Sequence, residues 1–142
     1  MHGVTRGERN NNPGNIRKSG AVWLGKIVPS QDANFEQFDT DVDGIRAIAK
    51  LLVTYYAKYK CNTVAKIITK WAPGSDNNPT DAYIKTVCSF TKTAPTDVID
   101  PMNADTMVSL VSGIIEQENG RIGYPDMVIR KAVDTALGIS MA

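Results

Sequence analysis

The chain has 142 residues, 42% of them hydrophobic and 22% charged, with a formal net charge of +1 at neutral pH. That balance fits one compact domain over residues 1–142 and excludes both a disordered chain and one that binds nucleic acid through a strong basic field. Two cysteines, Cys61 and Cys88, and one histidine, His2, leave no disulfide framework, no Ser-His-Asp triad and no His-based metal centre, so no cofactor or metal is expected.

Residues 1–41 are rich in Asn, Gly and Pro and lack helical periodicity. Short apolar runs, AVWLG and KIV, and the alternation at Phe35 and Phe38 predict turns and a small β-hairpin lobe. Asp41 offers an N-cap for GIRAIAKLLVTYYAKY, which places Ile45, Ile48, Leu52 and Tyr55/Tyr56 on one side. Thr63 begins a second helix, TVAKIITKWA, stopped by Pro73-Gly74. A polar loop, GSDNNP, leads to Thr80 as N-cap of a third helix, in which Cys88 falls at helical spacing from Ile84 and packs as a small hydrophobe. After a turn-rich connector, Asn103 or Asp105 caps a fourth helix, and Tyr124-Pro125-Asp126 starts the last. The expected fold is mainly α, a single domain with a helical lobe over 42–142.

The fourth helix carries the most informative residue. In DTMVSLVSGIIEQENG, Met107, Leu110, Val111, Ile114 and Ile115 form an amphipathic stripe. At roughly 100° per residue, Glu118 projects near the centre of that stripe, Glu116 projects to the opposite, solvent side, and Asn119-Gly120 stop the helix. Most Glu residues in a last helical turn are solvated ends; this one occupies the place of a hydrophobe beside a break that opens a cleft. Carboxyls drawn out of water favour their protonated form, the form required of a general acid that breaks a glycosidic bond.

IIEQENG resembles the catalytic helix of lysozyme-like murein enzymes, the lytic transglycosylases and autolysin-type N-acetylglucosaminidases. The match falls on Ile114, Ile115, Gln117, Glu118 and Gly120, with Asn119 where those families have Ser. NNPGNIR, Trp23-Leu24-Gly25 and FEQFDTDVDGIRA are similar to the Asn-rich hairpin and aromatic segment of the glucosaminidases. NPTDAYIKTV is similar to their Asp-Pro-x-Tyr-Ala-x-Lys stretch, whose groove tyrosine falls on Tyr83. The Glu helix precedes these motifs in those enzymes and follows them here, which implies a circular permutation. The chain as a whole also resembles a group of phage and prophage virion structural proteins and lysins.

The resemblance implies a lysozyme-like, peptidoglycan-degrading glycosidase that cuts the β-1,4 glycan backbone, with Glu118 as the acid. Glu36, Asp39, Asp32 and Glu8 are the candidates for a second carboxylate. Glu36 is preferred for catalysis, although a solvent-facing strand residue fits it equally well. A single-Glu transglycosylase needs no second carboxylate, because the substrate's own hydroxyl attacks. The run Asn10–Asn15 is either a tight turn or a polar wall for sugar groups, with Asn12, Asn15 and Asn119 as binding candidates. Tyr83 and Tyr124 are expected in the groove; Trp23 is a further stacking candidate, and Trp71, after Ile67 and Ile68, is expected in the core.

Neither a leader peptide nor an apolar run of membrane-spanning length is visible. The expectation is a monomer made in a host cytoplasm without membrane insertion. It would reach murein in the periplasm through a holin-type pore, or be carried in the virion with other virion components. A non-catalytic virion or tail protein that binds murein is the alternative. An amidase or endopeptidase is disfavoured by the lack of zinc ligands and of a Cys/His pair.

Overall fold

The computed structural model describes residues 3–73 and 80–139. The GSDNNP loop, at 74–79, lies outside the described residues. Six helices follow in order: α1 (Arg6–Arg9), α2 (Asp41–Tyr59), α3 (Val64–Trp71), α4 (Thr80–Thr91), α5 (Ala104–Asn119) and α6 (Asp126–Leu137). The mainly α architecture expected from periodicity is therefore present.

Local chemistry sets the helix ends. The short α1 has no counterpart in the hydrophobic pattern, yet it carries a reciprocal cap: the Thr5 hydroxyl accepts from the Glu8 amide at 3.0 Å, and the Glu8 carboxylate accepts from the Thr5 amide at 2.9 Å. Helix α2 is capped by Thr40, whose hydroxyl accepts from the Asp43 amide at 3.1 Å. Asp41, expected to be the cap, is instead in the first turn, where its charge suits the helix dipole. Thr63 caps α3 and Asn103 caps α5, as their side-chain chemistry requires. Thr80 is already helical, and its hydroxyl donates to the Ala72 carbonyl at 3.0 Å instead of capping α4. Gly120 and Gly138 close α5 and α6 in the left-handed conformation.

Helix α5 is the centre of the packing, with α4 and α6 against it and α6 packed in turn on α2. Met107, Leu110, Val111, Ile114 and Ile115 are fully buried, each contributing on the order of 1.5–3 kcal/mol of hydrophobic stabilisation. Burial extends around the helix to Val108, Ser112 and Gly113. Glu116 is accordingly half-buried, with one carboxylate oxygen sequestered and without a partner among the described residues, and not the solvent-facing residue that a simple two-faced helix predicts. At Gly113 a Cβ would come within 2.9 Å of the Val87 Cα, so glycine sets the α4–α5 spacing. Cys61 is buried and Cys88 half-buried, both as free thiols.

The N-terminal hairpin does not form among the described residues. Two isolated antiparallel bridges, Arg17 to Phe35 and Lys26 to Phe38, stand in its place. The reason is that side chains satisfy much of this segment's backbone. Asn12 donates to the Ile16 and Glu36 carbonyls at 3.0 and 2.9 Å and accepts from the Ile16 amide at 3.0 Å. Asn11 donates to the Phe38 carbonyl, and Asp32 accepts from the Asn34 and Phe35 amides. Asn11 and Asn15 both adopt left-handed backbone (φ 51° and 50°), which asparagine tolerates.

This segment is fastened to the end of α5. Asn119 donates to the Pro13 carbonyl at 2.8 Å and accepts from the Thr5 hydroxyl at 2.6 Å. Arg121 grips the Glu8 carboxylate through two nitrogens, at 2.6 and 3.0 Å. Hydrogen bonding to Arg121 is the main reason that Glu8 is held below the usual carboxylate range; burial opposes it, and the Thr5 amide adds to it. A folded-state pKa below the unfolded one stabilises the fold above the ordinary Glu range, near pH 4.3, and that contribution is lost as pH falls through the depressed value. Glu8→Gln is thus expected to lower the melting temperature at pH 7, by a deficit that shrinks in strong acid as Glu8 becomes protonated in the folded state as well. An equal deficit at pH 7 and in strong acid, by calorimetry, would remove the ion pair as the cause. Among the described residues, no helix is long and apolar enough to cross a membrane.

Candidate functional site

The meeting of the N-terminal segment with the end of α5 opens a cleft of about 410 Å³. Its lining comes from four parts of the fold: Gly14–Arg17 and Phe35 on one wall, Leu51 and Tyr55 from α2, Trp71–Pro73 at the end of α3, and the end of α5. Glu118 lines it from α5 and is the one carboxylate among the described residues that does so.

Three neutral side chains fix Glu118. Asn15 donates through Nδ2 to Oε1 at 2.9 Å across 103 residues of sequence. The Tyr83 hydroxyl donates to Oε2 at 2.9 Å, and Trp71 Nε1 donates to that hydroxyl at 2.9 Å. The polarity of this chain is forced. An indole N–H can only donate, so the Tyr83 oxygen accepts from Trp71 and its own hydrogen points at Glu118. Burial, and then the Glu118 charge, push the Tyr83 phenol far above its ordinary range, so it remains a donor at any working pH. Among the described residues no ion pair reaches Glu118. Half-buried and held by two donors, its carboxylate retains lone pairs on both oxygens for a proton or a substrate atom.

The structure gathers some of the residues singled out from sequence and disperses others. Asn15 and Tyr83 meet at Glu118. Tyr83, expected in the groove, is instead fully buried beneath the cleft, whereas Trp71 packs against the core as expected and also lines the cleft. The physical reason is position: Trp71 is the last residue of α3, where the helix ends and a ring edge is left open, whereas Tyr83 is packed between α3 and α5. Asn12 is fully buried as a backbone bracket, and Asn119 is the clamp described above; neither lines the cleft. Tyr124 packs against the core with its hydroxyl buried and without a partner among the described residues, and burial followed by the Glu8 charge pushes its phenol up to about 12. Trp23 likewise does not line the cleft.

The other acids are engaged elsewhere. Glu36 does not sit on an outer edge. Positions 36 and 38 point inward together, and the Glu36 carboxylate, 1% exposed, pairs with Lys26 Nζ at 3.0 Å and accepts from the Ser19 amide. Asp32 takes a bidentate grip from Arg6, at 2.7 and 2.6 Å, which is the main reason it is held far below its ordinary range. Glu8 is paired with Arg121, and Asp39 is exposed.

Tyr55, Phe35 and Leu51 are cleft residues that the sequence reading did not single out as such. Tyr55 stood at the end of the α2 stripe, where a hydroxyl-bearing side chain suits a wall that is half wet. Phe35 is covered by two guanidinium groups, Arg6 at 4.6 Å and Arg17 at 5.3 Å from the ring centre.

Tyr83→Phe is expected to cost about 1–3 kcal/mol of stability, since it leaves a Glu118 oxygen and the Trp71 N–H without their partner. Trp71→Phe should cost less, because its ring is only half-buried. Denaturant unfolding of both variants checks the order, and a larger loss for Trp71→Phe would contradict it.

Fold and site together define a mainly helical domain built around a single-carboxylate cleft. No family model matches the chain. It is 38% identical over 134 residues to "Protein P5" of Pseudoalteromonas phage PM2, an alignment covering 92% of this chain and 81% of that protein. The chain belongs to the family of that phage protein.

Proposed function

We propose that this phage-family protein cuts the glycan backbone of bacterial peptidoglycan, with Glu118 as general acid and no metal or cofactor. The observation that carries this reading is the isolated carboxylate on the cleft floor, oriented by Asn15 and by the Trp71–Tyr83 chain, between aromatic walls. Tyr55 and Trp71 offer apolar ring surface against which sugars pack, while Asn15 and Arg17 offer polar groups. The lysozyme-like fold in permuted order belongs to the same proposal. It is supported by the direct contact of the Asn-rich segment with the Glu helix.

The lack of a second carboxylate at the cleft, among the described residues, favours transglycosylation over hydrolysis. Glu118 donates its proton to the glycosidic oxygen as the C1–O bond breaks. The substrate's own C6 hydroxyl then attacks C1, and the Glu118 carboxylate takes up the hydroxyl proton, which returns it to the acid form and leaves a 1,6-anhydro end. Glu36, neutralised by Lys26, is assigned a structural role. Delivery to murein from a host cytoplasm falls to a holin-type pore or to the virion.

Mass spectrometry of purified sacculi digested with the protein tests the reading. Anhydro ends are the expected product. Reducing ends would replace transglycosylation by hydrolysis, and new peptide termini would make the protein an amidase or peptidase. Binding without any product would make it a murein-binding phage component.

A further inference from the structure

The positive charge of this near-neutral chain is unevenly placed. Between positions 44 and 75 there is no Asp or Glu, while Arg46, Lys50, Lys58, Lys60, Lys66 and Lys70 all fall there. The fold gathers Lys58, Lys60, Lys66 and Lys70 on the exposed side of the α2 end and α3. None of these four is in an ion pair among the described residues. A shallow groove of about 500 Å³ runs between them, lined by Tyr59, Cys61, Ala65, Lys66, Thr69 and Lys70. Lys70 Nζ lies 3.8 Å from the centre of the Tyr59 ring and 5.7 Å from that of Tyr55. Tyr55 lines the Glu118 cleft and Lys70 lines the groove, so the contact between them sets groove and cleft side by side.

We infer that this lysine-rich face of α2 and α3 docks the carboxylate-bearing peptide stems of the glycan strand whose sugars occupy the cleft. The inference rests on the glycan reading given above and adds a determinant of substrate class: anionic, peptide-substituted murein over neutral polysaccharides. Two features favour this occupant. The face adjoins the cleft laterally, where substituents branching from a bound glycan emerge. Its charges are lysines, compact point charges on flexible stems, suited to mobile carboxylates more than to bidentate phosphate recognition. Complementary exposed charges of this kind act on selectivity and encounter, and salt screens them.

The test uses Glu118→Gln protein, which holds substrate without consuming it, sedimented with intact sacculi, with sacculi stripped of peptides by an amidase, and with anionic phospholipid vesicles. Intact sacculi should bind about tenfold more tightly than stripped glycan. Raising salt from about 50 to about 500 mM should erase the difference. The combined Lys58→Gln, Lys66→Gln and Lys70→Gln substitution should erase it too, with binding to stripped glycan and a melting temperature close to wild type, since all three side chains are exposed and only their contacts with the Tyr59 and Tyr55 rings are lost. Equal binding to intact and stripped material, or a lysine variant that still prefers intact sacculi, would overturn the inference. So would lysine-dependent binding to vesicles in preference to sacculi. If nothing binds stripped glycan, the glycan reading of the cleft fails first and the inference fails with it.

Discussion

Glu118→Gln is expected to reduce murein cleavage by about 10²- to 10⁴-fold, the range that a positioned general acid supplies, while the helical signal stays at the wild-type level. The substitution keeps the shape of the side chain and removes the transferable proton. It also presents an amide N–H₂ where two donors, Asn15 Nδ2 and the Tyr83 hydroxyl, now converge on acceptors. One of these contacts must rearrange, at a cost of about 1–2 kcal/mol in stability, because a donor is left facing a donor. The Tyr83 hydroxyl cannot readily turn away, since its oxygen already accepts from Trp71. Asn15→Ala should give a smaller loss of activity with Glu118 intact, because it removes an orienting group and not the acid itself. The product assay on sacculi and a thermal melt separate these effects. Glu118→Gln with most of its activity retained would remove Glu118 as the acid.

Much of the helical part was legible from the chain. The stripe on α5 and the caps at Thr63 and Asn103 follow from period and side-chain chemistry, and the structure has them. The placement of Glu118 at a cleft was legible for the same reason: a charge in an apolar register needs somewhere to go. What the pattern did not reveal depends on tertiary contact. Glu36 sits between two phenylalanines and so reads as an edge residue, but it shares the inward face of Phe38, where its partner Lys26, ten residues away, meets it. Trp71 and Tyr83 look interchangeable as aromatics on apolar helices. Only the ending of α3 beside α5 decides which is covered. The Asn-rich run serves several local needs at once, as left-handed turns at Asn11 and Asn15, a backbone bracket at Asn12 and a Glu118 donor at Asn15. Composition alone merges these roles. Helix α1 was legible in principle, since Thr5 and Glu8 have the spacing of a capping box.

Gly44→Ala is expected to disable the site from outside it. A Cβ at position 44 would overlap the Asn11 carbonyl oxygen and lie 2.7 Å from its carbon, both backbone atoms that no rotamer change can move aside. Either the first turn of α2 shifts or the Asn-rich segment lifts off it. The segment is the softer element, because it is held to the end of α5 by side-chain hydrogen bonds, whereas Ile45, Ile48 and Leu52 anchor α2 in the core. Lifting Asn11 draws Asn15, four residues on, away from Glu118. The variant should therefore keep most of its helical signal, lose about 1–3 kcal/mol or somewhat more of stability to overpacking, and lose at least about tenfold in murein cleavage if Asn15 contributes the 1.4 kcal/mol or more typical of a hydrogen bond to a charged group. Limited proteolysis should cut the Asn-rich segment first. Gly20→Ala, where nothing lies within 4 Å of the added carbon, is the matched control and should behave as wild type. A Gly44→Ala protein with full activity and an unchanged melt would show that the segment does not approach α2 as closely as the site requires.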